Sequence, residues 1–308
     1  MQPSIHQKRV IDWLQADSDF RDAVVNSVAG SGKSTLLKLA ADAISTSNVK
    51  IQDCLVLVFN KKNKTALIKK LDSRWQYSIS TVHSAGYRTL KKYLGVRRLK
   101  VEEGKYRYLA KTLDWFNGSD PKQARVVSLS NFLKLFEFVR LTLSPLTKEA
   151  LSGLIEHYAL DINKQHLAEI SQRIEYLFRV GMDSAASEAR IDHTDLLWLP
   201  VVWQVNQSPG FKYAQRIMVD EAQDMSRLQL EFVLSLAHRQ AKMLFVGDPA
   251  QSINGFCGAD TDSFSNIQTR LQAIEFTLPV CYRCPKTHIE PIWYLYKRVR
   301  SRKNVIYK

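Results

Sequence analysis

The stretch AVVNSVAGSGKSTLL, residues 23–37, constrains the fold more than any other part of the 308-residue chain. An apolar run typical of a buried strand is followed by a loop of small residues and then by a helical pattern. Gly30 and Gly32 let the loop curl so that successive N–H groups point inward, and the helix starting near Lys33 adds the positive end of its dipole. This order of strand, loop and helix predicts a phosphate-binding P-loop.

The Walker A pattern G-x-x-x-x-G-K-[ST] assigns roles within this loop. Lys33 is expected to reach the β- and γ-phosphates of a nucleotide, and the Ser34 hydroxyl is expected to bind Mg²⁺. Ser27 stands where the pattern has its first glycine, so only the second half matches, and an ordinary glycine turn before a helix is the alternative interpretation. The predicted nucleotide-binding residues of the loop are Ala29, Gly30, Ser31, Gly32, Lys33, Ser34 and Thr35.

Five further apolar runs have the length of buried strands and alternate mostly with helical patterns. They are residues 53–59, 76–80, 216–220, 242–247 and 275–278. This alternation predicts an α/β fold with a largely parallel sheet. Between about residues 96 and 190 the apolar residues recur at helical spacing instead, with no convincing strand, which predicts an all-helical insert.

The segment RIMVDEAQDMS places two carboxylates at the end of a predicted strand. Asp220 is the predicted metal-side residue, because a nucleotide site holds its Mg²⁺ with an acidic residue at the tip of a strand beside the P-loop. Glu221 is the candidate base that orients and deprotonates the attacking water. An Asp-Glu pair alone more often caps a helix. Together with the P-loop, the pair predicts a nucleotide hydrolysis site.

The chain has a formal net charge of +14, and its pI is about 9.6. This excess of Lys and Arg favours a nucleic-acid partner, although scattered basic residues that merely solvate helices are the alternative. Four cysteines and the lack of an apolar N-terminal signal indicate an intracellular, cytoplasmic protein. No apolar run approaches the roughly 20 residues that cross a bilayer, so no membrane association is expected.

The chain resembles a superfamily 1 DNA helicase of the Rep/UvrD-like group, including its branch similar to F-box DNA helicases. Seven motifs carry the resemblance in the family's order, over roughly residues 1–95 and 190–288. They are SIHQKRVI around Gln7, AGSGKST, VFNKKNKTAL, STVHSAGYRTL, IDHTDLLWLP, VDEAQD and LFVGDPAQSINGFCGA. The resemblance implies a RecA-like P-loop NTPase fold, ATP and Mg²⁺ as cofactors, and single-stranded DNA or a strand junction as the partner.

The resemblance also implies roles for four residues of the nucleotide site. Gln7 would read the adenine, and Gln251 would sense the γ-phosphate. The segment FTLPVCYRCPKTHI is similar to the family's next motif, in which Tyr282 packs on the adenine and Arg283 acts as an arginine finger. With Lys33 and Glu221, Gln251 and Arg283 complete the predicted catalytic set.

The spacing Cys281-Tyr282-Arg283-Cys284 is also that of a metal knuckle or a redox pair. A zinc site needs four ligands, and the two remaining cysteines, Cys54 and Cys257, do not form a second C-x-x-C. A thioredoxin-like pair would need a helix start, which Pro285 is compatible with. We therefore interpret the segment through Arg283 and not through its cysteines.

Single-stranded DNA binds to aromatic platforms together with polar or cationic groups. The candidates, each in a motif at a strand end, are Phe59, Asn60, Lys61, Thr81, His83 and Phe256. A core position or a helix-start hydrogen bond is the alternative role for each. Where the family has aromatic-x-aromatic-Arg, residues 254–257 read Asn-Gly-Phe-Cys, so one platform and one cation are missing.

The expected division has three parts, the first of them in two segments. Residues 1–95 and 190–275 would form a discontinuous RecA-like ATP-binding domain, 96–189 the helical insert, and 276–308 the start of a truncated second RecA-like domain with a basic tail. A chain without the second domain is expected to be a weak ATPase, and a separate chain that supplies this domain is a candidate partner. The alternatives are a non-catalytic, nucleotide-switched DNA- or protein-binding module and a purely structural DNA-binding remnant.

Overall fold

The computed structural model describes residues 2–16, 19–112, 127–252 and 263–283, and a six-stranded parallel sheet forms its centre. The strands are β1 (Ala23–Ser27), β2 (Cys54–Val58), β3 (Ile79–Thr81), β4 (Lys100–Val101), β5 (Arg190–Ile191), β6 (Ala214–Asp220), β7 (Ala237–Gly247) and β8 (Ile274–Leu278). The central sheet has the order β3-β2-β6-β7-β1-β8, and all of its pairings are parallel. The predicted α/β fold with a parallel sheet is confirmed, since all six predicted strands lie in it.

Helices connect the strands and mostly begin at capping side chains. They are α1 (Ile5–Gln15), α2 (Lys33–Ser45), α3 (Lys61–Ile68), α4 (Val82–Tyr93), α5 (Lys105–Lys111), α6 (Leu129–Thr142), α7 (Lys148–His157), α8 (Leu167–Glu188), α9 (Asp195–Val202), α10 (Arg227–Ser235) and α11 (Ser263–Leu271). Ser4 and Gln7 form a capping box at the start of α1, and Thr81 caps α4. No helix in the described ranges is long and apolar enough to cross a membrane.

Successive residues of a strand point to opposite faces, so the central sheet has a hydrophobic core on each side. Val24 and Val219 belong to the core beneath α4, α9, α10 and α11. Val25 and Met218 belong to the core beneath α1, α2 and α3. The sheet is thus covered on both faces, as parallel sheets are, and only its edges and strand ends remain for a ligand.

Helices α5 to α8 have a hydrophobic core of their own, which includes Phe132, Phe136, Ile174 and Leu177. The predicted helical insert is confirmed as part of the fold. One detail of the prediction was wrong: β4 lies within residues 96–189 and pairs with β5, so the chain enters and leaves the helical block side by side. The expected boundary after residue 275 falls inside β8, which pairs with β1 through Leu278. The rest of the proposed division stays a prediction.

A buried ionic cluster, here called the junction cluster, lies where the helical block meets α9. It consists of Lys105, Tyr106, Arg140, Asp192 and Asp195, all of them buried. Lys105 Nζ donates to Asp195 Oδ2 at 2.6 Å and to the carbonyl of Gly181 at 2.8 Å, and Tyr106 Oη donates to Asp195 Oδ1 at 2.8 Å. The Arg140 guanidinium donates to both carboxylates, at 3.0 Å and 3.1 Å. The cluster therefore joins α5, α6 and α8 to the segment that leads into β6.

Candidate nucleotide-binding site

The strongest candidate site is a cavity of about 220 Å³ at the carboxyl ends of β1 and β6, here called the cleft. Because β1, β6 and β7 are parallel, their carboxyl ends meet at one edge of the sheet, where open α/β folds bind ligands. The cleft is lined by Gly30, Gly32, Lys33, Ser34, Thr35, Lys70, Asp220, Glu221, Gln251 and Arg283. Nine of these ten residues are among those that the sequence assigned to nucleotide binding, metal binding or catalysis.

The P-loop forms one wall of the cleft. Gly30 and Gly32 have φ values of 73° and 91°, the left-handed region that glycine adopts without strain. Gly32 directly precedes α2, whose N-terminus therefore faces the cleft. Gln7 does not line the cleft, but its Nε2 donates to the Gly32 carbonyl at 3.5 Å, while its Oε1 accepts from the Ser4 N–H. The structure thus places the predicted adenine-reading residue directly behind the P-loop.

Ser27, which replaces the first glycine of the Walker A pattern, has a structural role. Its side chain is fully buried, and its hydroxyl donates to the carbonyl of Gly247 at 2.6 Å. This bond links the end of β1 to the end of β7, the neighbouring strand with which β1 pairs. Because Ser27 points into the sheet edge and does not line the cleft, the departure from the pattern leaves the phosphate-facing part of the loop unchanged.

Lys33 and Glu221 form an ion pair across the cleft. Lys33 Nζ lies 3.1 Å from Glu221 Oε2, and both side chains are partly exposed. Gln223 Nε2 donates to the same oxygen at 3.0 Å. Glu221 has a φ of 54°, an unusual backbone conformation for a residue with a side chain, and it follows the last residue of β6. This turn directs the carboxylate toward the P-loop lysine.

Asp220 ends β6 on the same wall. Burial raises the pKa of its carboxyl to about 6, with a smaller contribution from the charge of Glu221, and Lys33 opposes the rise. Its Oδ1 accepts the Glu221 N–H at 3.1 Å. No group of three or more His, Cys, Asp or Glu side chains that could hold a metal ion occurs among the described residues. Asp220 and Ser34 therefore fit a metal that takes its remaining ligands from a nucleotide and water, as Mg²⁺ does.

A hydrogen-bonded chain of polar side chains connects Glu221 to Gln251. Gln223 donates to Glu221 and accepts the Asp248 N–H at 3.0 Å through its Oε1. Asp248 Oδ2 in turn accepts from Gln251 Nε2 at 2.7 Å. Burial raises the pKa of the Asp248 carboxyl. The candidate base and the candidate γ-phosphate sensor are thus held by one network at the ends of β6 and β7.

The segment after β8 closes the cleft from the side of the P-loop. The Tyr282 N–H donates to the Gly30 carbonyl at 3.0 Å. A side chain at Gly30 would lie 2.7 Å from Arg283 Cβ and 3.0 Å from Cys281 Sγ, so this approach requires glycine. Arg283 lines the cleft, whereas Tyr282 does not and has a largely exposed ring. Cys281 is buried against the P-loop, and Cys284, the other cysteine of the C-x-x-C spacing, lies outside the described residues.

A family model described as the UvrD/REP helicase N-terminal domain matches residues 15–272. The chain belongs to this family. The resemblance that the motifs predicted is therefore confirmed, and the chain is a helicase-family motor domain with a RecA-like fold. A comparison with curated proteins gave no match. Gln7, Tyr282 and Arg283 lie outside the range matched by the UvrD/REP model, so their predicted roles depend on the motifs and on their positions beside the P-loop.

Five of the six predicted DNA-contacting residues of this UvrD/REP domain lie at or just after the carboxyl ends of β2 and β3, the two strands at one side of the sheet. Phe59 is partly exposed, and Asn60 caps α3 by accepting the Asn63 N–H at 2.8 Å. Thr81 is buried and caps α4. These residues share the sheet edge with the cleft, because β2 pairs with β6 and Val58 is opposite Thr81.

Two other predicted DNA contacts have different surroundings. His83 lies in the first turn of α4, with its ring 6.2 Å from that of His193. Burial, and then the neighbouring His193, lower the pKa of His83, which favours a neutral imidazole. Lys61, the first residue of α3, is exposed. Phe256 lies outside the described residues.

Three residues of the UvrD/REP site were missed by the sequence analysis. Gln223 and Asp248 lie inside the motifs VDEAQD and LFVGDPAQ, so their positions next to assigned residues were the available signal. Lys70 follows α3 and adds a second lysine to the cleft. It is one of several lysines within residues 61–70, and nothing in the pattern distinguishes it from the others.

Proposed function

We propose that this chain is the ATP-binding motor domain of a DNA helicase, which binds Mg-ATP in the cleft and hydrolyses it when single-stranded DNA lies across β2 and β3. The observation that supports this most is the convergence of residues far apart in sequence on one small cavity. Lys33, Glu221, Gln251 and Arg283, the complete predicted catalytic set, all line it. Membership of the UvrD/REP family supports the same function.

Nucleotide binding would replace the Lys33–Glu221 ion pair. The N-terminus of α2 and the inward-curled loop attract phosphate oxygens, and Lys33 Nζ already lies at the same cavity. A phosphate group that takes over the lysine leaves Gln223 as the donor to the Glu221 carboxylate among the residues that the structure describes. In this scheme Gln7, Tyr282 and the loop residues Ala29, Gly30, Ser31, Gly32 and Thr35 hold the remainder of the nucleotide.

Glu221, once released, acts as the general base. Its carboxylate accepts a proton from a water whose oxygen forms a bond to the γ-phosphorus, while the bond from that phosphorus to the β,γ-bridging oxygen breaks. Arg283 and Lys33 offset the negative charge that develops on the γ-phosphoryl group, and Gln251 contacts it from the end of β7. Lys70 adds a further cation to this wall.

Asp220 and Ser34 are the residues that would hold Mg²⁺. When bound, the ion neutralises charge on the β- and γ-phosphate oxygens. Asp220 must be ionised to bind it, and burial raises the pKa of this carboxyl to about 6. The proposed site is therefore complete at neutral pH and loses its metal-binding charge in mildly acidic solution.

The DNA-contacting residues are proposed to be Phe59, Asn60, Lys61, Thr81, His83 and Phe256. The partly exposed ring of Phe59 would supply a base platform, and Lys61 would supply charge for phosphates. Thr81 is buried and caps α4, so it would contribute by positioning the start of α4 and not through an exposed side chain. The shared sheet edge gives a direct route by which DNA contacts and the cleft affect each other.

The test is the rate of ATP hydrolysis with and without single-stranded DNA in the wild-type chain and in Glu221→Gln. We expect DNA to stimulate wild-type turnover and Glu221→Gln to retain ATP binding but lose roughly 10² to 10⁴ in rate. The matched control is Glu103→Gln, because Glu103 is a highly exposed carboxylate away from the cleft. Equal rates in wild type and Glu221→Gln would overturn the proposed base.

A second arm addresses the second RecA-like domain that the family resemblance implies. The same rates are measured with the chain fused to such a domain from a Rep/UvrD-like protein. We expect faster turnover in the fusion, because that domain supplies a further arginine to the cleft. ATP binding without DNA-stimulated hydrolysis in either form would instead favour the nucleotide-switched binding module.

A further inference from the structure

A second and larger cavity, of about 470 Å³, lies at the opposite edge of the sheet from the cleft. It is here called the α4 groove, because one wall is the face of α4 from Ala85 to Tyr93. The other wall is the segment 205–212, which precedes β6, and Leu55 and Leu236 lie beside the amino ends of β2 and β7. Neither the proposed nucleotide site nor the proposed DNA contacts use any of these residues.

The α4 groove is positively charged. Arg88, Lys92 and Lys212 line it, and none of its lining residues is Asp or Glu. Lys92 Nζ donates to the carbonyl of Gly210 at 3.0 Å, which orients one cation along the wall. No ion pair in the described parts of the chain involves Arg88 or Lys212. The groove thus concentrates three cations around a concave surface, which attracts an anionic partner.

The rest of the lining favours a peptide over nucleic acid. Leu55, Val205 and Leu236 form the aliphatic floor of the groove, in which Leu55 is half-buried and the other two are buried, and this floor has no flat ring on which a base would stack. Phe211 is half-buried and lies 4.9 Å from Tyr213, whereas Tyr93 is 45% exposed with the Trp203 ring 5.8 Å away, so the groove has one open ring beside its three cations. An apolar side chain flanked by carboxylates matches this combination of aliphatic surface and surrounding cations.

We propose that the α4 groove binds an acidic segment of a partner protein, in which an apolar side chain enters the groove and flanking carboxylates pair with Arg88, Lys92 and Lys212. Along α4 the wall from Ala85 to Tyr93 rises by about 12 Å, which accommodates a few residues of an extended peptide. The site lies at the far edge of the sheet, so a bound partner leaves the cleft accessible.

The test uses an array of short synthetic peptides in which Asp and Glu flank a central Leu, Ile, Phe or Trp. Two matched arrays replace the central residue by Ser or the acidic residues by Lys. We expect the full-length chain to bind members of the first array only. In the double variant Arg88→Glu, Lys212→Glu, affinity should fall roughly tenfold or more, because two attractive charges become repulsive.

The control variant is Lys148→Glu, Arg239→Glu, which changes the net charge equally at two exposed positions outside the groove. It should bind the peptides as the wild type does, and both double variants should keep the wild-type melting temperature and ATP affinity. Absence of binding to the whole first array, or equal loss in both variants, would overturn the proposal. So would displacement of the peptides by a thymidine oligonucleotide whose own binding is lost only in the groove variant, since the groove would then bind nucleic acid. None of these outcomes depends on ATP hydrolysis.

Discussion

Two lysine–carboxylate pairs in this molecule have similar chemistry and opposite surroundings. In the cleft, Lys33 and Glu221 are 3.1 Å apart, and both side chains are partly exposed. In the junction cluster, Lys105 and Asp195 are 2.6 Å apart, and neither side chain has any exposed surface. The first pair faces a cavity of about 220 Å³, whereas the second is enclosed by further hydrogen-bonding groups and protein atoms.

The difference shows which pair can exchange its partner. A partly exposed ion pair at an open cleft contributes less to stability than a buried one, so an incoming phosphate can replace the glutamate at small cost. A buried pair is costly to break, because the remaining charge has neither water nor a counter-ion. We infer that the cleft pair serves the proposed reaction and that the junction pair fixes the helical block on the sheet domain.

The largest expected effect is that of Asp195→Ala. This change removes the carboxylate that accepts from Lys105, Tyr106 and Arg140, and it leaves the lysine without its counter-ion. We expect the free energy of unfolding to fall by about 3–5 kcal/mol, measured by urea denaturation. Asp42→Ala is the control, because Asp42 pairs with Lys38 on the surface of α2, and a change within roughly 0.5 kcal/mol is expected. A similar small change in Asp195→Ala would contradict the anchoring role.

Lys33→Ala should change ATP affinity strongly and stability little, the opposite of what is expected for Asp195→Ala. The stability of the chain should change by less than about 1 kcal/mol, because the ion pair it removes is partly exposed. The affinity for ATP, measured by calorimetry, should fall roughly 10- to 100-fold through loss of a charged hydrogen bond of about 1.5–3 kcal/mol. Lys38→Ala, on the same helix but facing solvent, should bind ATP as the wild type does. Unchanged ATP affinity in Lys33→Ala would contradict the role of the cleft pair in nucleotide binding.

Asp220 and Asp22 allow the contribution of burial to be separated from that of function. Burial raises the pKa of each carboxyl to about 6, from an ordinary value of 3.8. A raised carboxyl pKa contributes stability that is fully present below about pH 3.8 and is lost as the pH rises through about 6. Asp220→Asn and Asp22→Asn should therefore each stabilise the chain by about 1–3 kcal/mol at pH 7 and have little effect near pH 4.

Their effects on ATP hydrolysis should differ. Asp220 lines the cleft, whereas the Asp22 carboxylate accepts the Met243 N–H at the start of β1 and is not part of the cleft. We expect Asp220→Asn to lose Mg²⁺-dependent turnover and Asp22→Asn to keep it. Wild-type turnover should itself fall as the pH drops through about 6. If both variants were stabilised and both remained active, Asp220 would not be the metal-side residue.

The two regions also differ in how far the sequence could predict them. The cleft residues occur in short motifs at strand ends, and a parallel sheet brings such ends to one edge, so the residues that share this edge were predictable from local patterns. The strands themselves follow from apolar runs of suitable length. Lys70 was not predictable, because its place in the cleft depends on how α3 packs and not on its neighbours in sequence.

The junction cluster was not predictable for a related reason. Lys105 and Asp195 are 90 residues apart, and each lies in a segment whose pattern indicates only a helix. Asp195 was recognised as part of the motif IDHTDLLWLP, but no local signal identifies an adjacent lysine and tyrosine on one helix and an arginine on another as its partners. Pairing of this kind is decided by tertiary packing, which periodicity does not report.

The smallest expected effect sharpens the interpretation of the junction pair. Tyr106→Phe removes one donor from Asp195 but keeps the ring that packs 4.6 Å from Phe136 and leaves Lys105 and Arg140 in place. Because the carboxylate remains paired, we expect a loss of about 1 kcal/mol, the ordinary contribution of one hydrogen bond, with ATP affinity unchanged. A loss as large as that of Asp195→Ala would mean that the hydroxyl, and not the charge balance, holds the helical block. In the cleft, loss of a single donor to Glu221 would instead change the rate of ATP hydrolysis, because Glu221 is the proposed general base.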